Sequence, residues 1–143
     1  MEYITQTAEE TKEVGRRLSA SVKGGEIFAL QGDLGAGKTT FVQGFAEGLG
    51  IKGRVNSPTF IIMRSYQVTD YNLPITSLYH VDLYRLESNI EEELKNLGIT
   101  DLWGKPENVF LIEWAEKAKE SLPDDTKWIK FENINKDGRK VIL

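Results

Sequence analysis

Eight residues, Gly32-Asp33-Leu34-Gly35-Ala36-Gly37-Lys38-Thr39, match the spacing G-x-x-x-x-G-K-[ST], the pattern of a loop that wraps a chain of phosphates. Its glycines let successive backbone N–H groups turn inward toward one phosphate, and a helix opening at Lys38 would add the partial positive charge of its N-terminus at the same point. In such a loop the Lys38 ammonium reaches the β- and γ-phosphates, and the Thr39 hydroxyl binds Mg²⁺. The bland alternative for these residues is an ordinary glycine-rich turn.

A phosphate loop cleaves nothing alone, because Mg²⁺ needs further oxygen ligands and an attacking water needs a polar group to orient it. Two acids are placed for that work. Glu113 follows the apolar run Val109-Phe110-Leu111-Ile112, and Asp82 lies inside a β-rich run, where a carboxylate is costly unless it is paired or binds metal. Each can equally be a surface or salt-bridged acid. Thr59, in Asn56-Ser57-Pro58-Thr59-Phe60, follows the loop and its helix where switch-type NTPases place a threonine that senses Mg²⁺ and the γ-phosphate; otherwise it simply starts a strand after Pro58. His80 has the chemistry of a general base, but a lone histidine is more often a hydrogen-bonded packing residue. Trp114 reads more readily as core than as a stacking ligand, and Arg85 as either an internal charge stabiliser or a partner of one of the acids.

Two stretches imitate guanine-reading motifs, and neither is complete. Asp101-Leu102-Trp103-Gly104 fits D-x-x-G but follows a helix end rather than a strand. Asn135-Lys136-Asp137-Gly138 begins like N-K-x-D but has Gly138 where the base-reading acid belongs, and Asp137-Gly138 is a strong hairpin-turn signal. The loop leaves three classes open: an NTPase, a small kinase acting on a metabolite, and a non-catalytic nucleotide-binding docking module. A kinase usually adds a basic lid, and no Arg-rich stretch supplies one.

The elements that must position these residues follow from punctuation and period. Thr7-x-x-Glu10 fits a capping box, and Thr11, Val14 and Leu18 continue at helical spacing toward Gly24-Gly25. Ile27 to Leu30, an apolar run between glycines, reads as a central strand buried on both faces. Phe41, Phe45 and Leu49 predict a helix from Lys38 to a stop at Gly50. The runs 60–68 and 76–84 predict a long antiparallel hairpin, with Leu78, His80, Asp82 and Tyr84 on one face. Ser88-x-x-Glu91 predicts a second capping box for a short helix through Leu97, with the Glu91–Glu93 run in its first turn. Val109 to Ile112 is a second buried strand, and Trp128 to Leu143 a terminal hairpin. The fold class read from these elements is α/β with antiparallel hairpins, in one domain over 1–143.

Composition narrows the partners. The chain has 143 residues, 18 Lys plus Arg against 22 Asp plus Glu, one His and no Cys, with a net charge of -4. Disulfides, thiolate chemistry and multi-histidine metal sites are excluded. The acidic balance speaks against direct nucleic-acid binding, which draws on clustered Lys and Arg. No apolar run approaches a membrane span, and Met1-Glu2-Tyr3 lacks the basic start of a secretory signal, so a cytoplasmic protein without membrane attachment is expected.

Four blocks taken together carry a resemblance: Gly32 to Thr40 as GDLGAGKTT, Ser57-Pro58-Thr59-Phe60, His80-Val81-Asp82-Leu83-Tyr84-Arg85, and Ile112-Glu113-Trp114-Ala115-Glu116, in this order. The chain resembles the TsaE (formerly YjeE) family. That resemblance implies an α/β fold with a P-loop NTPase-like mixed β-sheet flanked by helices, and a bacterial P-loop ATPase required for threonylcarbamoyladenosine formation on tRNA, binding ATP and Mg²⁺ and working with TsaD and TsaB, with the transfer itself left to TsaD. It implies that Asp33, Leu34, Gly35, Ala36, Gly37, Lys38, Thr39 and Thr40 hold the nucleotide. It further implies that Thr39, Asp82 and Glu113 serve Mg²⁺ and water, that Thr59 is a switch residue, and that Thr5 and Thr7 approach the base. Ala115 stands where members often have proline. Slow hydrolysis, stimulated by the partners, is the expectation.

Overall fold

Ile27, Phe28, Ala29 and Leu30 are all buried, as a strand with neighbours on both edges and layers on both faces requires. The computed structural model describes residues 1–56 and 62–143. Thr59 and the first residues of the expected hairpin lie outside the described residues. In chain order the elements are β1 (Glu2–Thr5), α1 (Ala8–Ser19), β2 (Ile27–Gln31), α2 (Lys38–Gly48), β3 (Met63–Gln67), β4 (Ser77–Asp82), α3 (Ile90–Asn96), β5 (Asn108–Glu113), β6 (Lys127–Asn133) and β7 (Arg139–Ile142), with 3₁₀ turns at Ile99–Asp101 and Ala115–Ala118. The strands form one seven-stranded sheet in the order β1-β7-β6-β2-β5-β4-β3.

Its middle is parallel, with β2 between β5 and β6 and β4 outside β5. Antiparallel strands close both sides: β3 on β4, β7 on β6, and β1 on β7. The mixed sheet and the hairpins agree with the sequence reading. Alternation along the strands divides the core into two layers. Phe28, Leu30, Leu78 and Leu111 face Val14 of α1 and Phe41 and Phe45 of α2. Ile27, Ala29, Val81 and Ile112 face Leu94, Ile99 and Ala118 on the opposite side. Because β2, β4 and β5 run the same way, Gly32, Asp82 and Glu113 emerge at one edge of the sheet, which is where open α/β sheets bind ligands.

Helix ends show where local signals held. The Thr7 hydroxyl accepts from Glu10 N at 3.1 Å, so the Thr7 half of the first capping box forms, while the Glu10 carboxylate reaches one residue further back and accepts from Gln6 N at 3.2 Å. That helix stops at Ser19, ahead of the two glycines, as Ser19 Oγ and Ser21 Oγ donate to the carbonyls of Arg16 and Leu18 and compete with continued helix. The second capping box does not form. Asn89, not Ser88, occupies the cap of α3 at φ 54, without a side-chain cap bond. Asparagine tolerates this left-handed conformation, and Glu91, Glu92 and Glu93 favour the start through the helix dipole. The long hairpin is shorter than expected at its second strand, because the Asp82 carboxylate accepts from Tyr84 N at 2.9 Å and turns the chain there. The sequence reading contains no strand β1; among the described residues its four residues pair with β7, Glu2 opposite Ile142.

Helices α1 and α2 touch backbone to backbone at glycines. A Cβ on Gly44 would sit on the Lys12 carbonyl, and one on Gly15 on the Phe41 carbonyl. Gly44→Ala would gain about 1 kcal/mol of helix propensity but overpack a rigid backbone contact, which costs about 3 kcal/mol. The net effect expected is a loss of about 2 kcal/mol of stability, read from urea denaturation; an unchanged midpoint would contradict the close approach.

Candidate functional site

The loop between β2 and α2 is shaped by two glycines for different reasons. Gly37 caps α2 at φ 95, a left-handed conformation that disfavours any side chain. At Gly32 the obstacle is space, since a Cβ would stand 2.6 Å from the Phe131 carbonyl of the neighbouring strand β6. Within the loop Ala36 N donates to Asp33 O at 3.1 Å, and Ala36 is buried. The first backbone N–H groups of α2 are thereby presented together with Lys38 and Thr39 to a cavity of about 700 Å³.

Lys38 is nearly enclosed, 4% exposed. Its ammonium donates to the Gly32 carbonyl and lies 3.6 Å from the centre of the Trp114 ring, close enough for attraction to the ring face. Burial pushes the Lys38 amine below its ordinary range, opposed by the charges of Glu116, Glu113, Asp82 and Asp33. A cation held at a cost in an anion-lined hollow is prepared to exchange a carbonyl for phosphate oxygens.

Thr39 Oγ1 donates to Glu113 Oε1 at 2.9 Å and stands 3.2 Å from Oε2. Glu113, only 2% exposed, also meets His80 Nε2 at 2.6 Å through Oε2. Strand pairing sets this geometry, because β4 and β5 run in register with His80 opposite Leu111 and Asp82 opposite Glu113, which puts all three polar groups on the face toward α2. Asp82 is half-buried on the cavity wall. His80 takes the hydrogen-bonded packing alternative rather than opening on the cavity.

Of the residues singled out from sequence, Thr7, Leu34, Gly35, Gly37, Lys38, Thr39, Thr40, Asp82 and Glu113 all border this one cavity. Thr5 does not join them: it is buried, and its hydroxyl pairs with that of Thr11 at 2.8 Å behind the wall. Asp33 and Ala36 shape the loop from within. Arg85 is exposed beyond the Asp82 turn. Trp114 combines both readings: half-buried at φ 58, it packs against the core layer of Val81, Leu94 and Ile112 and also forms cavity wall, against Lys38 and 5.2 Å from the Tyr84 ring.

Arg139 escaped the sequence analysis. The Arg139 guanidinium donates through Nε to Gly35 O at 3.1 Å and through Nη1 to the carbonyls of Asn135, Lys136 and Gly138. It ties the phosphate loop to the β6–β7 turn across 104 positions of sequence, a distance no local pattern spans. In that turn Asn135 Oδ1 accepts from Asp137 N and Gly138 N, so the residues that imitate N-K-x-D make a hairpin turn. Charge-assisted bonds of this kind contribute about 1.5 kcal/mol or more. Arg139→Ala is therefore expected to weaken nucleotide binding about tenfold by calorimetric titration, and full retention of affinity would remove the clamp from the site.

Three comparisons bear on this arrangement. Residues 5–141 match the family model described as "Threonylcarbamoyl adenosine biosynthesis protein TsaE". A Bacillus subtilis (strain 168) protein named tRNA threonylcarbamoyladenosine biosynthesis protein TsaE is 41% identical over 141 residues, covering 99% of this chain and 83% of that protein. A Treponema pallidum protein of the same name is 33% identical, covering 100% of this chain and 99% of its own length. The crystal structure of Bacillus subtilis YdiB superposes with a TM-score of 0.75 at 35% identity, over 99% of this chain and 82% of that one.

Proposed function

This chain belongs to the TsaE family of threonylcarbamoyl adenosine biosynthesis proteins, and from that premise we propose that it is a slow Mg²⁺-dependent ATPase, one domain over 1–143, that drives the cycle of a TsaD–TsaB complex modifying tRNA in the cytoplasm. The observation that carries this reading is the convergence of three strand ends on one cavity: the loop with Lys38 and Thr39, Glu113 and Asp82.

The residues present fit both groups. Left-handed Gly37 and the open N-terminus of α2 make a cradle for phosphate, and the Thr39 hydroxyl with the Glu113 and Asp82 carboxylates are hard oxygen donors suited to Mg²⁺. When bound, Mg²⁺-ATP supplies the transferable γ-phosphoryl group and the cation that offsets its charge. The chain does the rest. Loop N–H groups fix the phosphates, and Lys38 leaves the Gly32 carbonyl and lays its charge along them. Glu113 accepts the Thr39 proton and so aims the Thr39 oxygen into the cavity, while Asp82 orients water from the wall. Trp114 and Tyr84 screen this end from solvent. Thr7, with Gln6 and Ala8, supplies the far wall for the nucleoside, and Thr5 supports that wall from behind. Thr59 is the proposed switch residue.

Completion of a partly built site by a partner is worth about 10³- to 10⁵-fold in the arginine-finger case, which is the scale expected for stimulation by TsaD–TsaB. Leu34 and Tyr84, 73% and 52% exposed at the cavity mouth, offer apolar contact there. The net charge of -4 suits a protein whose partners hold the tRNA. ATP labelled in its γ-phosphoryl group tests the reaction class. Label released as inorganic phosphate is the expected result; label on a metabolite would make the protein a kinase, and unconverted ATP in the presence of TsaD–TsaB would leave a docking module.

A further inference from the structure

His80 is the chain's one histidine, and it lies where neither a general base nor a metal ligand can work. It is 0% exposed. Nε2 stands 2.6 Å from Glu113 Oε2 in a pair enclosed on both sides, and Nδ1 has no hydrogen-bond partner among the described residues. A carboxylate only accepts, so the 2.6 Å contact assigns Nε2 as the donor to Glu113. The opposite tautomer would press a ring lone pair against the carboxylate and bury an N–H without an acceptor, which is unfavourable on both counts.

The geometry points to His80 as a positioning residue that sets how strongly the site uses Mg²⁺. One oxygen of Glu113 takes the Thr39 proton and the other takes the imidazole proton, so the carboxylate is held by two donors from different elements, α2 and β4. Held in this way, Glu113 fixes the Thr39 hydroxyl as a donor to itself and leaves the Thr39 lone pairs for the cation. Without the imidazole, Glu113 keeps one short-range donor and regains rotamers that turn it away from Thr39. Partners of ligand-orienting groups commonly change metal affinity or activity by about 10- to 100-fold. This inference rests on the Mg²⁺-ATP reading for its consequence, while the imidazole bond itself is open to test in the nucleotide-free protein.

Two measurements decide it. The first is ¹⁵N NMR of the free protein, where a single histidine gives one pair of ring-nitrogen signals. The Nε2–H tautomer is expected, and an Nδ1–H tautomer would overturn the proposal. The second is the affinity for a non-hydrolysable ATP analogue with and without Mg²⁺ in wild type, His80→Leu and His80→Gln. Leucine fills the space and donates nothing, whereas a glutamine amide can replace the Nε2–H. His80→Leu is expected to match wild type without Mg²⁺ and to lose about tenfold of the gain that Mg²⁺ brings, with most of it restored in His80→Gln. An undiminished gain in His80→Leu, or equal loss in both variants, would overturn the positioning role. If His80→Leu does not fold, a tenfold loss in His80→Gln would do so. A wild-type protein without any Mg²⁺ gain would instead overturn the Mg²⁺-ATP reading itself, a result distinct from a normal wild type beside an undiminished leucine variant.

Discussion

Lys38→Ala is expected to abolish measurable ATP hydrolysis and to weaken nucleotide binding by about 100-fold or more. Truncating one partner of a buried, hydrogen-bonded charge pair costs about 2–5 kcal/mol, and a lost donor to developing charge lowers turnover by about 10²- to 10³-fold. The nucleotide-free protein should behave differently. Burial outweighs the attraction of Glu116, Glu113, Asp82 and Asp33 for this ammonium, since the amine is shifted down and not up. Its charged form therefore opposes folding, and alanine should leave the melting temperature without nucleotide unchanged or raised. The sign with pH is fixed by the same shift. Between the lowered folded value and the ordinary lysine range the unfolded chain binds more protons, so wild-type stability gains as pH rises through that window. Lys38→Ala removes that alkaline gain. A variant that binds nucleotide poorly and also melts early at neutral pH would mean that Lys38 supports the fold.

Glu113→Gln is expected to lower Mg²⁺-dependent hydrolysis by about 100-fold, with nucleotide binding in the absence of Mg²⁺ close to wild type. The amide keeps the shape but offers one acceptor oxygen where Thr39 and His80 each require one. The two donors must then share that oxygen, with Thr39 at the longer of its two contacts, and an amide N–H on the other side that is left buried without an acceptor costs about 1–3 kcal/mol. Steady-state rates across a Mg²⁺ series, beside a denaturation curve, separate the two effects. Unchanged hydrolysis in Glu113→Gln would remove Glu113 from the site.

The phosphate loop was legible because everything it needs is local: the glycines, Lys38 and Thr39 lie within eight residues, and the apolar run before and the Phe41–Phe45 spacing after them define strand and helix. Glu113 was legible as an acid ending an apolar strand, and Asp82 as a carboxylate out of place in a β-rich run. What joins them was not legible. The parallel pairing of β4 with β5 puts Asp82 beside Glu113 and lets His80 reach its carboxylate, and sheet order is a property of the whole core. Arg139 reaches Gly35 only because β6 pairs with β2 and β7 with β6. Strand β1 is four residues long and gains its hydrogen bonds from the other end of the chain, so it leaves almost no local trace. Ser88 failed as a cap because Asn89 adopts the left-handed conformation one residue later, a choice the capping pattern does not encode.

The function proposed for the site rests on phosphoryl transfer to water at the Lys38 loop under partner control. The rate of ATP hydrolysis with Mg²⁺, by the protein alone and after addition of TsaD–TsaB, tests that directly, with Lys38→Ala as the blank. Slow release of phosphate that rises by orders of magnitude with the partners, and vanishes in the blank, is the predicted result. Equal rates with and without partners, or a rate that survives in Lys38→Ala, would contradict the account.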